Sequence, residues 1–286
     1  MPHQLNADLH SHSSLSDGTL TPEALAARAR AQGVELWALT DHDELAGQAR
    51  AAAAARAEGI AWLGGVEISV TFAGETVHIV GLGIDPANEE LGAGLARTRE
   101  GRLQRARQIA DGLAKVGIPG AYDGALAYVT NPDLMSRTHF ARWLVDTGVC
   151  RDNGEVFRRY LVSGKPGYVA HRWAGLGEAV GWILAAGGAA VIAHPGRYKF
   201  TPIEEYALFS EFKAHGGAGI EVLTGSHGSA DAAKYAAMAI EFDFAASRGS
   251  DFHSPDESRI DLGTLPKLPK QLEPIWQRLE ARIQRP

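Results

Sequence analysis

Short apolar segments alternate along the chain with longer stretches whose apolar positions recur at helical spacing. Leu5 to Leu9 reads as a strand, Pro22 to Gln32 as a helix, Leu36 to Leu39 as a strand, Leu45 to Glu58 as a helix and Ala61 to Glu67 as a third strand. The alanine run Ala51 to Ala55 falls inside the second helical pattern and signals helix, nothing more. Val70 to Phe72 and Thr76 to Leu82, separated by Ala73-Gly74-Glu75, predict a hairpin. The rhythm resumes later: helix Leu176 to Ala186, strand Ala189 to Ala193, helix Ile203 to Ala214, strand Ile220 to Leu223, helix Ala230 to Ala239 and strand Phe244 to Ala246. Strands alternating with helices predict parallel pairing through helical crossovers, an α/β fold.

Between these halves, from about Thr98 to Arg172, strand signals disappear. Leu103, Ile109, Leu113 and Val116 outline one amphipathic helix, and Phe140 to Val145 and Val156 to Leu161 suggest others. The pattern predicts an α-helical insert over 98–172, dividing a main α/β domain into 1–97 and 173–286. A chain of 286 residues, 45% hydrophobic and 22% charged, is long enough for that arrangement. No apolar run approaches the roughly 20 residues that cross a bilayer, and the first residues lack a basic segment followed by an apolar one, so neither a membrane span nor a signal peptide is expected. A cytoplasmic location is the matching expectation. The single cysteine, Cys150, excludes an internal disulfide and any cysteine-based zinc site. A metal would have to be held by His, Asp and Glu.

Charge sharpens this division. The chain carries a net −6, yet residues 97–172 hold 13 Lys/Arg against 7 Asp/Glu, leaving 15 against 27 elsewhere. The acidic remainder suits cations; the basic segment suits either phosphate or a solvated helical surface.

Ligand-type residues recur where the apolar segments stop. Asp8-Leu9-His10-Ser11-His12 is followed by Ser16-Asp17-Gly18, and residues i and i+2 of an extended chain face one side, so His10 and His12 can address one ion. Thr40-Asp41-His42-Asp43 follows the second strand, Glu67 ends the third, His78 lies in the hairpin, His194-Pro195-Gly196 follows Ala193, and Asp251-Phe252-His253 follows the last strand. In a β/α barrel the carboxyl ends of the strands meet at one mouth, which makes such residues neighbours. Six of the 11 histidines sit at these positions, more than chance placement at loop starts accounts for. No Walker loop, dinucleotide fingerprint or serine nucleophile elbow is present.

As an ordered set these motifs resemble the polymerase and histidinol phosphatase (PHP) family. The resemblance implies a distorted β/α barrel of about seven strands with an inserted helical cap. It also implies a site for three divalent ions held by His10, His12, Asp17, His42, Glu67, His78, His194, Asp251 and His253. Ser136-Arg137-Thr138-His139-Phe140-Ala141-Arg142, Lys165-Pro166-Gly167-Tyr168-Val169 and His194-Pro195-Gly196-Arg197-Tyr198 are similar to the PHP subgroup that removes the 3′-phosphate from nucleoside 3′,5′-bisphosphates, and relatives there trim short RNA from its 5′ end.

Roles follow from that resemblance. Mixed imidazole and carboxylate donors suit Mn, Fe or Zn better than Mg alone. Glu67 is the expected bridge between ions, with Asp251 a second, and a water shared by two ions loses a proton near neutral pH to become the nucleophile. Arg197 is the expected grip on a phosphate oxygen. Ser136 and Arg137 either hold the second phosphate or simply begin a helix. His139 and His171 are read as substrate-positioning or packed residues, with proton donation the lesser alternative. Asp8, Asp41, Asp43 and Glu221 are candidates to orient imidazoles. Trp143, Tyr160, Tyr168 and Trp173 either stack on a base or pack. His3, His215 and His227 are expected at the surface. The expected activity is a metal-dependent 3′-phosphatase acting on small nucleotides. The alternatives are a 5′-to-3′ exonuclease on short 5′-phosphorylated RNA or DNA, a histidinol-phosphate-type phosphatase, and a noncatalytic metal-stabilised interaction module. The net negative charge disfavours a strong grip on long nucleic acid.

Overall fold

A computed structural model describes residues 5–286; His3 lies outside them. Its first half supplies a small parallel sheet, ordered β1-β2-β3, from β1 (Ala7–Asp8), β2 (Leu36–Trp37) and β3 (Ala61–Trp62). The crossovers are α1 (Pro22–Ala31) and α2 (Gln48–Ala57). Helix α1 starts where the Thr21 hydroxyl accepts the Ala24 N–H and Pro22 occupies the first turn. Helix α2 starts three residues later than the apolar pattern suggests. The Glu44 carboxylate accepts the N–H groups of Leu45 and Ala46, and the Gln48 side chain joins Leu39 to Gly65.

The second sheet is ordered β4-β5-β6-β7-β8. Strands β4 (Gly65–Phe72) and β5 (Glu75–Leu82) form the expected hairpin, antiparallel with Ser69 opposite His78. Strand β6 (Ala189–Ile192) pairs antiparallel to β5, while β7 (Gly219–Thr224) and β8 (Ala245–Gly249) continue in parallel. The ladders therefore divide into sheets of three and five strands rather than one wall of about seven. The expected third strand, Ala61 to Glu67, breaks at Leu63-Gly64, so Glu67 lies inside an eight-residue strand instead of ending one. Hydrogen bonds nevertheless join the sheets on both sides. Leu9 N–H reaches Arg248 O and Asp251 N–H reaches His10 O, at 3.1 and 2.9 Å; Asp43 N–H reaches Glu67 O at 2.8 Å.

Helices α3 (Glu89–Glu100), α4 (Arg102–Ala114), α5 (Ala121–Leu126), α6 (Arg137–Asp146) and α7 (Asn153–Val156) follow β5. The Val156 to Leu161 pattern becomes a π-helical turn at Phe157–Leu161. Helix α3, which the apolar pattern did not reveal, runs through residue 98. Its buried Leu91 and Leu95 join the central core, whereas Ile109, Leu113, Phe140, Leu144 and Leu161 form a separate core. The main fold resumes with α8 (Leu176–Ala185), α9 (Pro202–Ala214) and α10 (Ser229–Glu241). No helix among the described residues is long and apolar enough to cross a membrane.

One close approach fixes the seam beneath the first histidine pair. A Cβ built on Gly249 would lie 2.3 Å from the His10 Cβ and 2.6 Å from its backbone nitrogen. Gly249→Ala must therefore separate β8 from the end of β1. We expect a destabilisation of about 1–3 kcal/mol, typical of overpacking, together with weaker divalent-cation binding. Urea unfolding and a cation titration check this, and wild-type values in both would contradict the contact.

Candidate metal centre

The nine ligand-type residues singled out in the sequence converge. Glu67 is at their centre: one carboxylate oxygen lies 2.9 Å from His78 Nδ1 and 3.0 Å from His194 Nε2, the other 3.0 Å from His42 Nδ1, 3.2 Å from His12 Nε2 and 3.3 Å from His10 Nε2. An Asp251 oxygen lies 3.2 Å from His12 Nε2, and Asp17 lies 3.3 Å from His253 Nε2. Three sets of donor atoms are compact enough to surround one ion each: His12, Asp17, His42 and His253; His10, His12, Glu67 and Asp251; and His42, Glu67 and His78.

Strand alternation explains how the hairpin contributes. Glu67 and Ser69 on β4 and Thr76 and His78 on β5 share one face, while Val66, Ile68, Val77 and Ile79 fill the core behind it. The loop ligands arrive differently. His194 (φ 26°) and Asp251 (φ 55°), like Asp43 (φ 51°), hold positive φ, a conformation costly without glycine and typical of functional sites.

The donor set fits divalent cations on its own chemistry. His12 Nδ1, His42 Nδ1, His78 Nδ1, His194 Nδ1, Asp17 Oδ1 and a Glu67 oxygen are buried and lack a hydrogen-bond partner. Buried polar atoms rarely stay unpaired, and neutral imidazole mixed with carboxylate is what Mn, Fe or Zn selects. The protein's own charges point the same way. Burial opposes ionisation of Glu67, Asp17 and Asp251, but the surrounding imidazoles reverse this and hold all three carboxyls well below the usual range. Burial also opposes charge on His10 and His12, yet the facing carboxylates lift His10 well above its ordinary value and His12 to about 10. His194 is pushed down to about 3 by burial and by Arg197; burial lowers His78 as well.

Of the four acids proposed to orient imidazoles, Glu221 does so. One of its oxygens lies 2.7 Å from His10 Nδ1, so that nitrogen is the donor and Nε2 is left for an ion; the other accepts the His194 N–H at 2.6 Å. The other three brace backbone instead, a correction to the sequence reading. Asp8 accepts from the N–H groups of Ser250 and Gly263. Asp41 accepts from the Ser13 N–H and the Ser13 and Ser16 hydroxyls, and Asp43 from Ser69 and Arg102. His227, expected at the surface, is half-buried, takes the Gly196 N–H on Nε2 and stacks on Tyr235, so it steadies the turn after His194. Nothing in the sequence around Ser226-His227-Gly228 signals this. His215 stays at the surface beside Glu211.

An open cavity lies over the histidines, lined also by Arg102, Arg105, Arg137, Ser136, Phe157 and Trp173. Arg102, Arg105 and Phe157 were not flagged in the sequence, because a helical arginine pattern reads equally as a solvated surface. Arg102 bonds Asp43 and lies 4.7 Å over the Trp173 ring; Arg105 lies 5.2 Å over the same ring. Burial, with Arg137 and Arg102 adjacent, lowers Arg105 to about 9. Arg137 donates to Leu161 O at 3.2 Å, and burial lowers its pKa as well. Arg197 reaches Asp251 at 2.7 Å with half its side chain exposed.

His139 and His171 do not line this cavity, and of the two readings offered for them, substrate positioning or packing, their contacts are those of packed residues. His139 is buried, and its Nδ1 accepts the Ser136 N–H in a capping box at the start of α6. His171 stacks edge-on to Trp173 and packs over Gly101. Trp173 alone among the four aromatic candidates faces the cavity; Trp143 and Tyr160 pack in the insert.

Comparison with known proteins agrees with this geometry. Residues 8–122 match the PHP domain family. The chain is 55% identical to a 3′,5′-nucleoside bisphosphate phosphatase of Chromobacterium violaceum, over 98% of this chain and 99% of that protein. It is 43% identical to a 5′-3′ exoribonuclease of Haemophilus influenzae, over 95% and 98%. A solved structure of an amidohydrolase from Chromobacterium violaceum, with bound sulfate and no metal, superposes with a TM-score of 0.95 at 55% identity, covering 98% of each chain.

Two substitutions test the supports. Glu221→Gln replaces one acceptor by a donor, so it fails either His10 or the His194 amide. We expect divalent-cation affinity to fall by about 10–100-fold in calorimetric titration, and an unchanged affinity would count against the assignment. His139 is lowered from 6.5 to about 4 chiefly by burial. The unfolded chain therefore takes its proton first, and up to about 3 kcal/mol of stability, full above pH 6.5, is lost as pH falls towards 4. His139→Gln keeps a capping acceptor without a titrating group. Urea unfolding should show the wild type losing stability relative to His139→Gln across that window; parallel curves would refute it.

Proposed function

The chain belongs to the PHP domain family, and from that premise we propose that it is a metal-dependent phosphomonoesterase that removes the 3′-phosphate of nucleoside 3′,5′-bisphosphates. The observation that carries this reading is the pairing, in one cavity, of the histidine–carboxylate cluster with a wall of three arginines. A bisphosphate carries two phosphates, and the cavity offers a distinct partner for each. The Chromobacterium violaceum and Haemophilus influenzae relatives, named for a bisphosphate phosphatase and an exoribonuclease, lend the nucleotide its place in the proposal.

In this reading His10, His12, Asp17, His42, Glu67, His78, His194, Asp251 and His253 hold three divalent ions, manganese foremost. When bound, such ions neutralise charge on the phosphoryl group and acidify a water for attack. The chain's own residues do the rest. Glu67, with two oxygens facing five imidazoles, and Asp251 keep the donors together. Arg197, held against Asp251, presents its half-exposed guanidinium to an equatorial phosphate oxygen. Arg102, Arg105 and Arg137 take the phosphate that is not cleaved, which offsets the burial and the mutual repulsion that lower Arg105. Phe157 and Trp173 exclude water between the two ends. We read the two sheets as parts of one distorted barrel, with 98–172 as its cap, and place the enzyme in the cytoplasm.

A second reading has its own support. A further cavity, lined by Gly225, Ser226, Ser258, Arg259 and Ile260, shares Arg197, Asp251 and His253 with the first. It offers room for nucleotides beyond the scissile bond, so short 5′-phosphorylated oligonucleotides fit the same centre. A histidinol-phosphate-type substrate, being cationic, is disfavoured by the arginine wall.

Release of inorganic phosphate from a 3′,5′-bisphosphate, set against release of mononucleotides from a short 5′-phosphorylated RNA, ranks the two. Arg105→Met should lower kcat/KM for the bisphosphate by about 10–100-fold, the loss of a charge-assisted hydrogen bond. It should leave hydrolysis of a simple aryl phosphate and manganese binding near wild type. Equal losses on both substrates would remove the arginine wall from substrate recognition, and no phosphate release from any nucleotide with manganese present would remove the enzyme.

A further inference from the structure

Building on the proposed cation site, we infer that Arg142 of α6 is a positioning residue for one group of ligands: it ties the loop carrying Asp17 to the loop carrying His253, and thereby couples the helical insert to cation binding. Arg142 is buried and does not line the cavity over the histidines. Its guanidinium is engaged elsewhere through two of its three nitrogens. Nε and one terminal nitrogen grip both oxygens of Glu257 at 2.8 and 2.7 Å, and the same terminal nitrogen donates to the Asp17 carbonyl at 2.7 Å. A planar fork of this kind fixes orientation as well as distance.

Both anchored loops supply ligands. Asp17 lies between β1 and α1, outside any regular element, and Glu257 lies four residues beyond His253. The side chains they carry meet across the gap: Asp17 Oδ1 is 3.3 Å from His253 Nε2, and that oxygen is buried without a hydrogen-bond partner. Two other contacts from the same part of the insert reach the Asp17 loop. The Ser136 hydroxyl lies 3.4 Å from Asp17 Oδ2, and the Thr130 hydroxyl donates to Ser14 O. The Asp17 loop is also closely packed on the segment before it, since a Cβ on Gly18 would lie 2.1 Å from the His12 carbonyl oxygen.

The other two ligand groups share His12 and His42 with this one but otherwise draw on Glu67, His10, His78 and Asp251, none of which bonds Arg142, whereas Asp17 and His253 belong to this group alone. Loss of Arg142 should therefore weaken the His12–Asp17–His42–His253 group selectively. It would leave the Asp17 carbonyl and Glu257 without their donor while the centre around Glu67 stays intact.

The test is a manganese titration of metal-stripped full-length protein by calorimetry, comparing wild type with Arg142→Met, Arg142→Lys and Glu257→Gln, with melting in EDTA to verify folding. One class of manganese site should weaken by about 10–100-fold in Arg142→Met and Glu257→Gln, with the remaining classes unchanged and Arg142→Lys intermediate. In phosphate-release assays kcat should fall at low manganese and recover at high manganese, with KM constant. An unchanged isotherm, equal weakening of all classes, or a rise in KM alone would each overturn the inference. Should Arg142→Met not fold, Glu257→Gln decides from the opposite side of the same contact. A wild-type protein that binds no manganese would instead sink the cation reading itself.

Discussion

Five imidazoles approach the two oxygens of one buried carboxylate, Glu67, and much of the molecule is arranged to make that tolerable. A carboxylate taken out of water is costly unless opposite charge surrounds it. Here the imidazoles keep Glu67 ionised against its burial, while other imidazole nitrogens remain without partners. The cluster is therefore rich in unpartnered lone pairs, a condition that a small divalent ion relieves better than any protein group present.

Holding such a cluster open requires rigid surroundings. Acids one layer out spend themselves on backbone: Asp8 on Ser250 and Gly263, Asp41 on the Ser13–Ser16 turn, Asp43 on Ser69 and Arg102, Glu221 on the His194 amide as well as the His10 ring. Each satisfies donors that would otherwise be buried unpaired. Stiffness at the donors thus comes from a shell of hydrogen bonds rather than from the strands, three of which are only two residues long.

This division of labour explains what could be read from the sequence. The donor-type residues that converge were legible because few residue types offer such atoms, because His10-Ser11-His12 and Asp251-Phe252-His253 repeat a spacing of two, and because their ordered set resembles the PHP family. The α/β alternation was legible from apolar periodicity. The break at Leu63-Gly64 was not, since a continuous apolar run gives no sign of where one strand yields to the next. Nor was the choice of backbone over imidazole by Asp41 and Asp43, which depends on loops that meet only in three dimensions. Arg102 and Arg105 were hidden for a different reason: on an amphipathic helix a buried arginine and a solvated one look alike until the partner surface is known.

The insert leaves and rejoins the main fold at neighbouring points. Gly101, between α3 and α4, lies directly beneath the ring of His171, close enough that a Cβ there would fall 2.2 Å from it. A segment whose two ends touch behaves like a cassette: its length and surface can diverge while the strands keep their register, so long as the contacts of Arg142 to Asp17 and Glu257 are kept. Variation elsewhere in that cassette can reshape the wall that faces the histidines without moving the strands beneath, much as a lock's wards can be recut while its bolt is left alone.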